Sequence, residues 1–286
     1  MALITLTTDF GTKDHFVGAV KGAIYTELAD AKIVDITHEI SPFNITETAY
    51  ILKNSYKSFP KGTIHIVGVD SELSEEHKHI ALELDGHFFV CPDNGIVSMI
   101  TSEIKPSKIV AINIHDRIES SFPVLDVFVQ VACFIARGGN LTVIGKEIKD
   151  FKKITEIQPK TNHKQNQIVG GIVSIDNYGN VITNISKKMF EDVGKGRNFK
   201  MTAKKHSFSK IFTKYNEVAS NKTYSNQQYE GHKLALFNSA SYIEIAIYRS
   251  NLKTVGGACS LLGLEYRDTV TIDFTNAPDP EFTTLN

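Results

Sequence analysis

Apolar and polar positions along the first half of the chain follow a strand–helix rhythm. A β-branched apolar run, Leu3 to Thr8, stops at the carboxylate Asp9 and turns through Gly11. It then enters a segment where Phe16, Val17, Val20 and Ile24 recur at helical spacing. AKIVDI (31–36) has the pattern of a buried strand, ITETAYILKNSYKSF (45–59) that of an amphipathic helix, and GTIHIVGVD (62–70) that of a strand ending in a carboxylate. HIALEL and HFFVC flank Asp85-Gly86, a strong hairpin signal. PDNG (92–95) leads into a short helix, SKIVAINI reads as a strand, and VLDVFVQVACFIARGG as an apolar helix ended by glycines. This alternation predicts an α/β domain with a mainly parallel sheet and helices on both faces.

The pattern changes in the polar stretch 150–167, rich in Lys, Gln and Asn, which reads as a connector. Beyond it come short strand patterns separated by turns: IVGGIVSID, NVITNI, KLALFNS, YIEIAIY and TVTIDF. They predict an all-β, barrel-like domain. The expected division is an α/β domain over 1–157, a linker over 158–166 and a β-barrel-like domain over 167–286, with 190–230 too weakly patterned to assign.

A length of 286 residues suits two such domains. A formal net charge of -1 supplies no basic surplus for nucleic acid and no charge block for a membrane surface, so neither partner is expected. The opening apolar run breaks at Asp9, too soon for a leader or a membrane span. Cys91, Cys133 and Cys259 are scattered and lack CxxC spacing, so neither a disulfide framework nor a zinc site is expected, and a cytoplasmic location follows. His77 and His79 form an HxH pair without further ligands around it, and no metal is expected there. GxGxxG and GxxxxGK[ST] are both missing, which excludes the glycine-rich dinucleotide and triphosphate cradles. The DFG at 9–11 lacks the other kinase segments.

Asp9, Asp70 and the Asp93-Asn94 pair each follow a strand pattern. In an open α/β sheet they would share the edge where ligands bind. Carboxylates there suit a ligand rich in hydroxyls or carrying an ammonium, and repel a bare phosphate. Asp14 can serve such a ligand or simply favour a helix start. In IDNYGNVITNI, Asp176, Asn180 and Asn184 recur at intervals of four around a glycine, a pattern that also suits an ordinary β-turn. NSAS (238–241) carries the same ambiguity.

Five segments together resemble the S-adenosylmethionine (SAM) hydroxide adenosyltransferase family, the SAM hydrolases related to SAM-dependent fluorinase and chlorinase. They are TDFGTKD (8–14), ISPF (40–43), PDNG (92–95), IDNYGNVITNI (175–185) and NSASYIEIA (238–246), in the family's order and nearly end to end. The resemblance implies an N-terminal α/β domain, a barrel-like C-terminal domain and a homotrimer with its site between subunits. It implies that SAM is a substrate and that no cofactor is needed. Carried over by motif, Asp9 would hold the ribose hydroxyls, Asp14 the methionine ammonium, and Phe43 would lie against the sugar. Asn180 would read the adenine edge, Asp176 would meet the amino-acid end, Ser239 would sit near the methionine carboxylate, and Tyr178 would lie near the adenosine. The turn is one residue shorter than in the halogenases, and Ala240 stands where they have an arginine.

The family's hydrolases poise water with an Asp-Arg-His set. Here VDSELSEEHKHI keeps Asp70 but places His77 at the arginine position, and SFPVLD places Pro123 and Val124 where a histidine and a glycine are expected. An Asp70–His77 pair, or His79 in its place, would be the remaining base, while His77 also reads as an exposed residue of an acidic loop. The leading expectation is hydrolysis of SAM to adenosine and L-methionine by substitution at C5′. Two alternatives remain open: a family member that binds SAM or adenosine with little turnover, and, less favoured, a SAM-dependent halogenase.

Overall fold

The computed structural model describes residues 2–101, 104–114, 120–154, 158–219 and 229–278. The chain divides into two compact units, Met1–Ile154 and Thr155–Asn286.

The first unit runs β1 (Leu3–Thr8), α1 (Phe16–Glu27), β2 (Lys32–Thr37), α2 (Ile45–Ser55), β3 (Ile64–Gly68), β4 (His79–Leu84), β5 (His87–Pro92), α3 (Ile96–Ile100), β6 (Lys108–Ile112), α4 (Val129–Ala136), α5 (Leu141–Ile144) and β7 (Gly145–Glu147). Its sheet has the order β2-β1-β3-β5-β4-β6-β7. The three pairs among β2, β1, β3 and β5 are parallel, and the three involving β4, β6 and β7 are antiparallel. The sheet is therefore mixed rather than mainly parallel. The cause is the two-residue turn at Asp85-Gly86, both at positive φ (51° and 76°), which pairs β4 back on β5.

Side-chain alternation along the strands supplies both faces. Ile4, Leu6, Ile64 and Ile66 meet Val20 and Ile24 of α1 and Val131 and Ile135 of α4. On the opposite face Val67, Ile80, Leu82 and Phe89 meet Ala49 and Leu52 of α2 and Val97 and Ile100 of α3. This second face also buries a polar chain. Thr5 Oγ1 lies 2.7 Å from His65 Nδ1, and His65 Nε2 lies 3.2 Å from His87 Nδ1.

The second unit runs β8 (Lys160–Thr161), β9 (Gln167–Ile175), β10 (Val181–Ser186), α6 (Lys187–Gly194), β11 (Arg197–Ala203), β12 (His206–Phe208), β13 (Lys233–Phe237), β14 (Tyr242–Ile247), α7 (Ala258–Leu261) and β15 (Thr269–Pro278). Its strands join in the order β12-β11-β15-β9-β10-β14-β13, with β8 on β9, and every pair is antiparallel. They curl around one core that includes Ile168, Ile172, Val181, Met201, Ile245 and Ile272, the barrel-like form expected.

Three details differ from the reading of the sequence. The expected linker over 158–166 contains β8, which folds back onto Val169 and Ile168 of β9. The helix α6 interrupts the strands, capped by Ser186, whose Oγ accepts from the N–H of Met189. The region 190–230 holds β11 and β12, while residues 220–228 lie outside the described residues. The first half of β11 (Arg197, Asn198, Phe199, Lys200) is partly or fully exposed, so its composition looks like that of a loop.

Burial keeps His65 neutral down to about 3, against 6.5 for a free imidazole, with His87 adding a smaller effect. As pH falls from 6.5 toward 3 the unfolded chain takes up a proton that folded His65 refuses. Stability contributed here is thus full above 6.5 and lost across that window, at up to about 1.4 kcal/mol per pH unit. In urea unfolding followed against pH, His65→Phe should show a shallower loss than the parent over this range. Asp9 and Asp93, whose carboxyls are pushed up, contribute the opposite slope equally to both proteins.

Candidate active site

Because β1, β3 and β5 are adjacent and parallel, Asp9, Asp70 and Asp93-Asn94 all lie at one edge of the first unit. Asp9 Oδ2 accepts the backbone N–H of Phe43 at 2.9 Å. Burial is the main force pushing the Asp9 carboxyl up, and the negative charge of Asp70 adds to it. The N–H groups of Phe43, Asp9 and Asp70 draw it back down. Phe43 holds a left-handed backbone (φ 62°) and exposes 72% of its surface, so its ring stands in solvent beside the Asp9 carboxylate's donor. Asp70 is also left-handed (φ 47°). Strained residues of this kind concentrate where a side chain must be aimed.

Asn94 is 2% exposed and clamps the end of β3. Its Nδ2 donates to the carbonyls of Val69 (3.0 Å) and Asp70 (3.3 Å), and its Oδ1 accepts from Ile96 (3.3 Å). Gly95 follows at φ 109°, and a Cβ there would stand 2.2 Å from Ile154 Cδ1. Only glycine fits this turn. The chain around Ile154 crosses directly above it, where the backbone N–H of Ile154 donates to Ser98 Oγ (3.1 Å).

His77 stands between Asp70 and Lys152. Its Nδ1 is 3.9 Å from Asp70 Oδ2, beyond direct hydrogen bonding, and its Nε2 is 2.8 Å from Lys152 Nζ. Lys152 in turn donates its backbone N–H to Asp93 Oδ1 at 2.8 Å. Burial pushes the Asp93 carboxyl up, opposed by that N–H and by the positive charges of Lys152 and Lys78. His79 is fully buried, donates from Nε2 to the Ser71 carbonyl (2.8 Å) and lies edge-on to Phe128, so it supports the loop from within. Val124 is fully buried over Gly68, where a Cβ would meet its Cγ2 at 2.7 Å and the Phe10 ring at 3.2 Å. With Phe122 against Phe10 (5.3 Å), Pro123-Val124 sits in an apolar corner. Asp14 is exposed just before His15, the residue that precedes α1, and caps nothing.

The second unit presents a separate cluster at the turn between β9 and β10. Asp176 Oδ1 accepts the N–H groups of Tyr178 (2.9 Å) and Asn180 (2.8 Å), and its Oδ2 accepts from Asn180 Nδ2 (3.0 Å). A carboxylate only accepts, so Asn180 must turn its amide nitrogen toward Asp176. Its Oδ1 is left buried without a partner, in a residue 4% exposed. Gly179 has φ 76°, and a Cβ there would meet Leu252 at 2.6 Å and Cys259 Sγ at 3.0 Å, so the turn is tightly backed. Tyr178 is 61% exposed. Buried Glu244, its carboxyl pushed up chiefly by burial, accepts from Tyr215 Oη. Ser239 is exposed on the next turn, where Asn238 Oδ1 receives the N–H groups of Ala240 and Tyr242. Asn184 does not share this cluster and instead receives the N–H of Gly171 (2.9 Å).

The structure thus groups Asp9, Phe43, Asp70 and His77 in the first unit, and Asp176, Tyr178 and Asn180 in the second. Lys152 was missed by the reading of the sequence. It lies in a polar stretch whose composition carries no signal beyond that of a connector. Among the described residues no group of three or more His, Cys, Asp or Glu could hold a metal ion, and no helix is long and apolar enough to cross a membrane.

Removing the Asp176 carboxylate strands three donors at once. Asp176→Ala should lower the stability of the second unit by about 2–3 kcal/mol, and Asp176→Asn by less, measured by urea unfolding.

Compared with known proteins, residues 4–145 match the SAM hydroxide adenosyltransferase N-terminal domain, and residues 170–271 match the C-terminal domain of the same family. A protein of Methanocaldococcus jannaschii named (R)-S-adenosyl-L-methionine hydrolase is 32% identical, over 94% of this chain and 95% of its own. A fluorinase of Actinopolyspora mzabensis is 21% identical, over 85% of this chain and 90% of its own. The crystal structure of an uncharacterized conserved protein from Thermotoga maritima superposes with a TM-score of 0.79 at 25% identity, covering 95% of this chain and 99% of that one.

Proposed function

This chain belongs to the SAM hydroxide adenosyltransferase family, and on that premise we propose that it hydrolyses SAM to adenosine and L-methionine. The substrate is taken to be the (R)-sulfonium epimer named for its archaeal relative. The observation that carries this reading is the pairing of Asp9 and Asp70 at the ends of adjacent parallel strands. One carboxylate can hold a ribose diol while its neighbour addresses a water at C5′.

In the proposed reaction the water oxygen bonds to C5′ as the C5′–S bond breaks and its electron pair passes to sulfur. Methionine leaves as a neutral thioether, so no general acid is needed, and the proton lost by water passes to Asp70. Asp9 keeps one oxygen on the Phe43 N–H and offers the other to the ribose hydroxyls. Phe43 lies against the sugar, and Asp14, free on the surface, takes the methionine ammonium. Asn180 Oδ1, buried and unpartnered, suits the exocyclic amine of adenine, with Tyr178 beside the base. Asp176, its carboxylate engaged by its own turn, aims Asn180, and Ser239 meets the methionine carboxylate. SAM enters as substrate with no cofactor, and the assembly is a cytoplasmic homotrimer. The apolar corner at Pro123-Val124 offers no proton acceptor, which leaves water activation to Asp70 and the His77 beside it.

A second reading, binding of SAM or adenosine with little turnover, draws support from the engagement of His77 Nε2 with Lys152, which leaves no free imidazole lone pair to act as base. Incubating nucleoside-free protein with each SAM epimer, with and without chloride, separates the readings. Adenosine and methionine should form from the (R)-epimer, with kcat falling about 10²-fold or more in Asp70→Asn and KM rising about 10²-fold in Asp9→Ala. Tight binding without products would support the second reading, and 5′-chloroadenosine would show a halogenase.

A further inference from the structure

Lys152 lies beyond the span matched by the N-terminal family domain, which ends at residue 145. It is nevertheless pinned into the site. Its backbone N–H is held by Asp93 Oδ1 (2.8 Å), and two residues on Ile154 covers Gly95 and donates to Ser98 Oγ. These contacts bring the end of the first unit back across the loop after β5 and leave the Lys152 ammonium 2.8 Å from His77 Nε2. An ammonium has only donors, so the imidazole nitrogen it meets must be the one without a proton. The proton of neutral His77 is then on Nδ1, the nitrogen facing Asp70 across 3.9 Å.

We propose that Lys152 is a positioning residue that locks His77 in its Nδ1–H form and supplies the positive charge behind His77 and Asp70. The charge reaches the corner through a relay of two residues from distant parts of the chain. The imidazole presents a donor to the nucleophile corner while the lysine carries the charge. At 3.9 Å, His77 Nδ1 and Asp70 Oδ2 are spaced so that one water can bond both at once, donating to the carboxylate and accepting from the imidazole. This orients a water lone pair rather than removing its proton, and Asp70 remains the acceptor. The charged groups facing His77 are Asp70 and Lys152, with Asp93 within electrostatic reach.

The catalytic consequence rests on the hydrolase reading above, whereas the locked form of His77 does not, and the two are tested separately. Long-range 1H–15N NMR of the full chain, with the His77 signals identified by their loss in His77→Gln, should show an unprotonated Nε2 and a protonated Nδ1. Lys152→Met should abolish that preference and Lys152→Arg should keep it. In the hydrolysis assay Lys152→Met should lower kcat about tenfold with KM unchanged, and Lys152→Arg should recover most of the rate. An Nε2-protonated His77 in the parent protein, or identical His77 signals in Lys152→Met, would overturn the proposal. Full activity in Lys152→Met would overturn the catalytic part. If the parent protein releases no adenosine, the hydrolase reading fails while the NMR result still decides the placement of the proton.

Discussion

The first unit is organised around the cost of burying carboxylates at one sheet edge. Asp9, Asp70 and Asp93 close three adjacent parallel strands, and burial is the main force pushing both Asp9 and Asp93 toward their neutral forms. Each is answered by backbone N–H donors from elsewhere in the unit, Phe43 for Asp9 and Lys152 for Asp93. Loops of the unit are accordingly drawn over the edge, and the same amides that relieve the carboxylates deliver Phe43 and Lys152 to the site.

Backbone strain follows the same logic. Phe43 and Asp70 adopt left-handed conformations that cost non-glycine residues of order 1–3 kcal/mol each. Both flank Asp9. Asn94 secures the peptide ahead of Asp70 from below through the Val69 and Asp70 carbonyls, and Ile154 packs over Gly95. The edge is thus braced by residues that do no chemistry. The second unit works by similar means on a smaller scale, where Asp176 fastens its own turn and the tight backing at Gly179 fixes the direction of Asn180.

Much of this was legible in the sequence because it rests on local pattern. Apolar alternation located the strands that carry Asp9, Asp70 and Asp93, and the Asp85-Gly86 turn announced its hairpin. Five short motifs carried the family, now supported by matches to both of its domains. The mixed character of the first sheet escaped, since a hairpin partner can dock on either side of a strand and periodicity does not choose. The helix α6 and strands β11 and β12 escaped because one exposed face gives a short element the composition of a loop.

By itself the sequence determined which residue types close the strands and which segments can bury an apolar face, for these depend on neighbours a few positions apart. Only the tertiary structure decided that His77 meets Lys152, 75 residues away, and that His79, two positions from His77, is buried as a support. It likewise decided that the Asp176 carboxylate turns inward to its own turn. The physical reason is that an ionisable side chain acts through the charges and donors within a few ångströms of it, and that company is assembled by strand order and loop crossing.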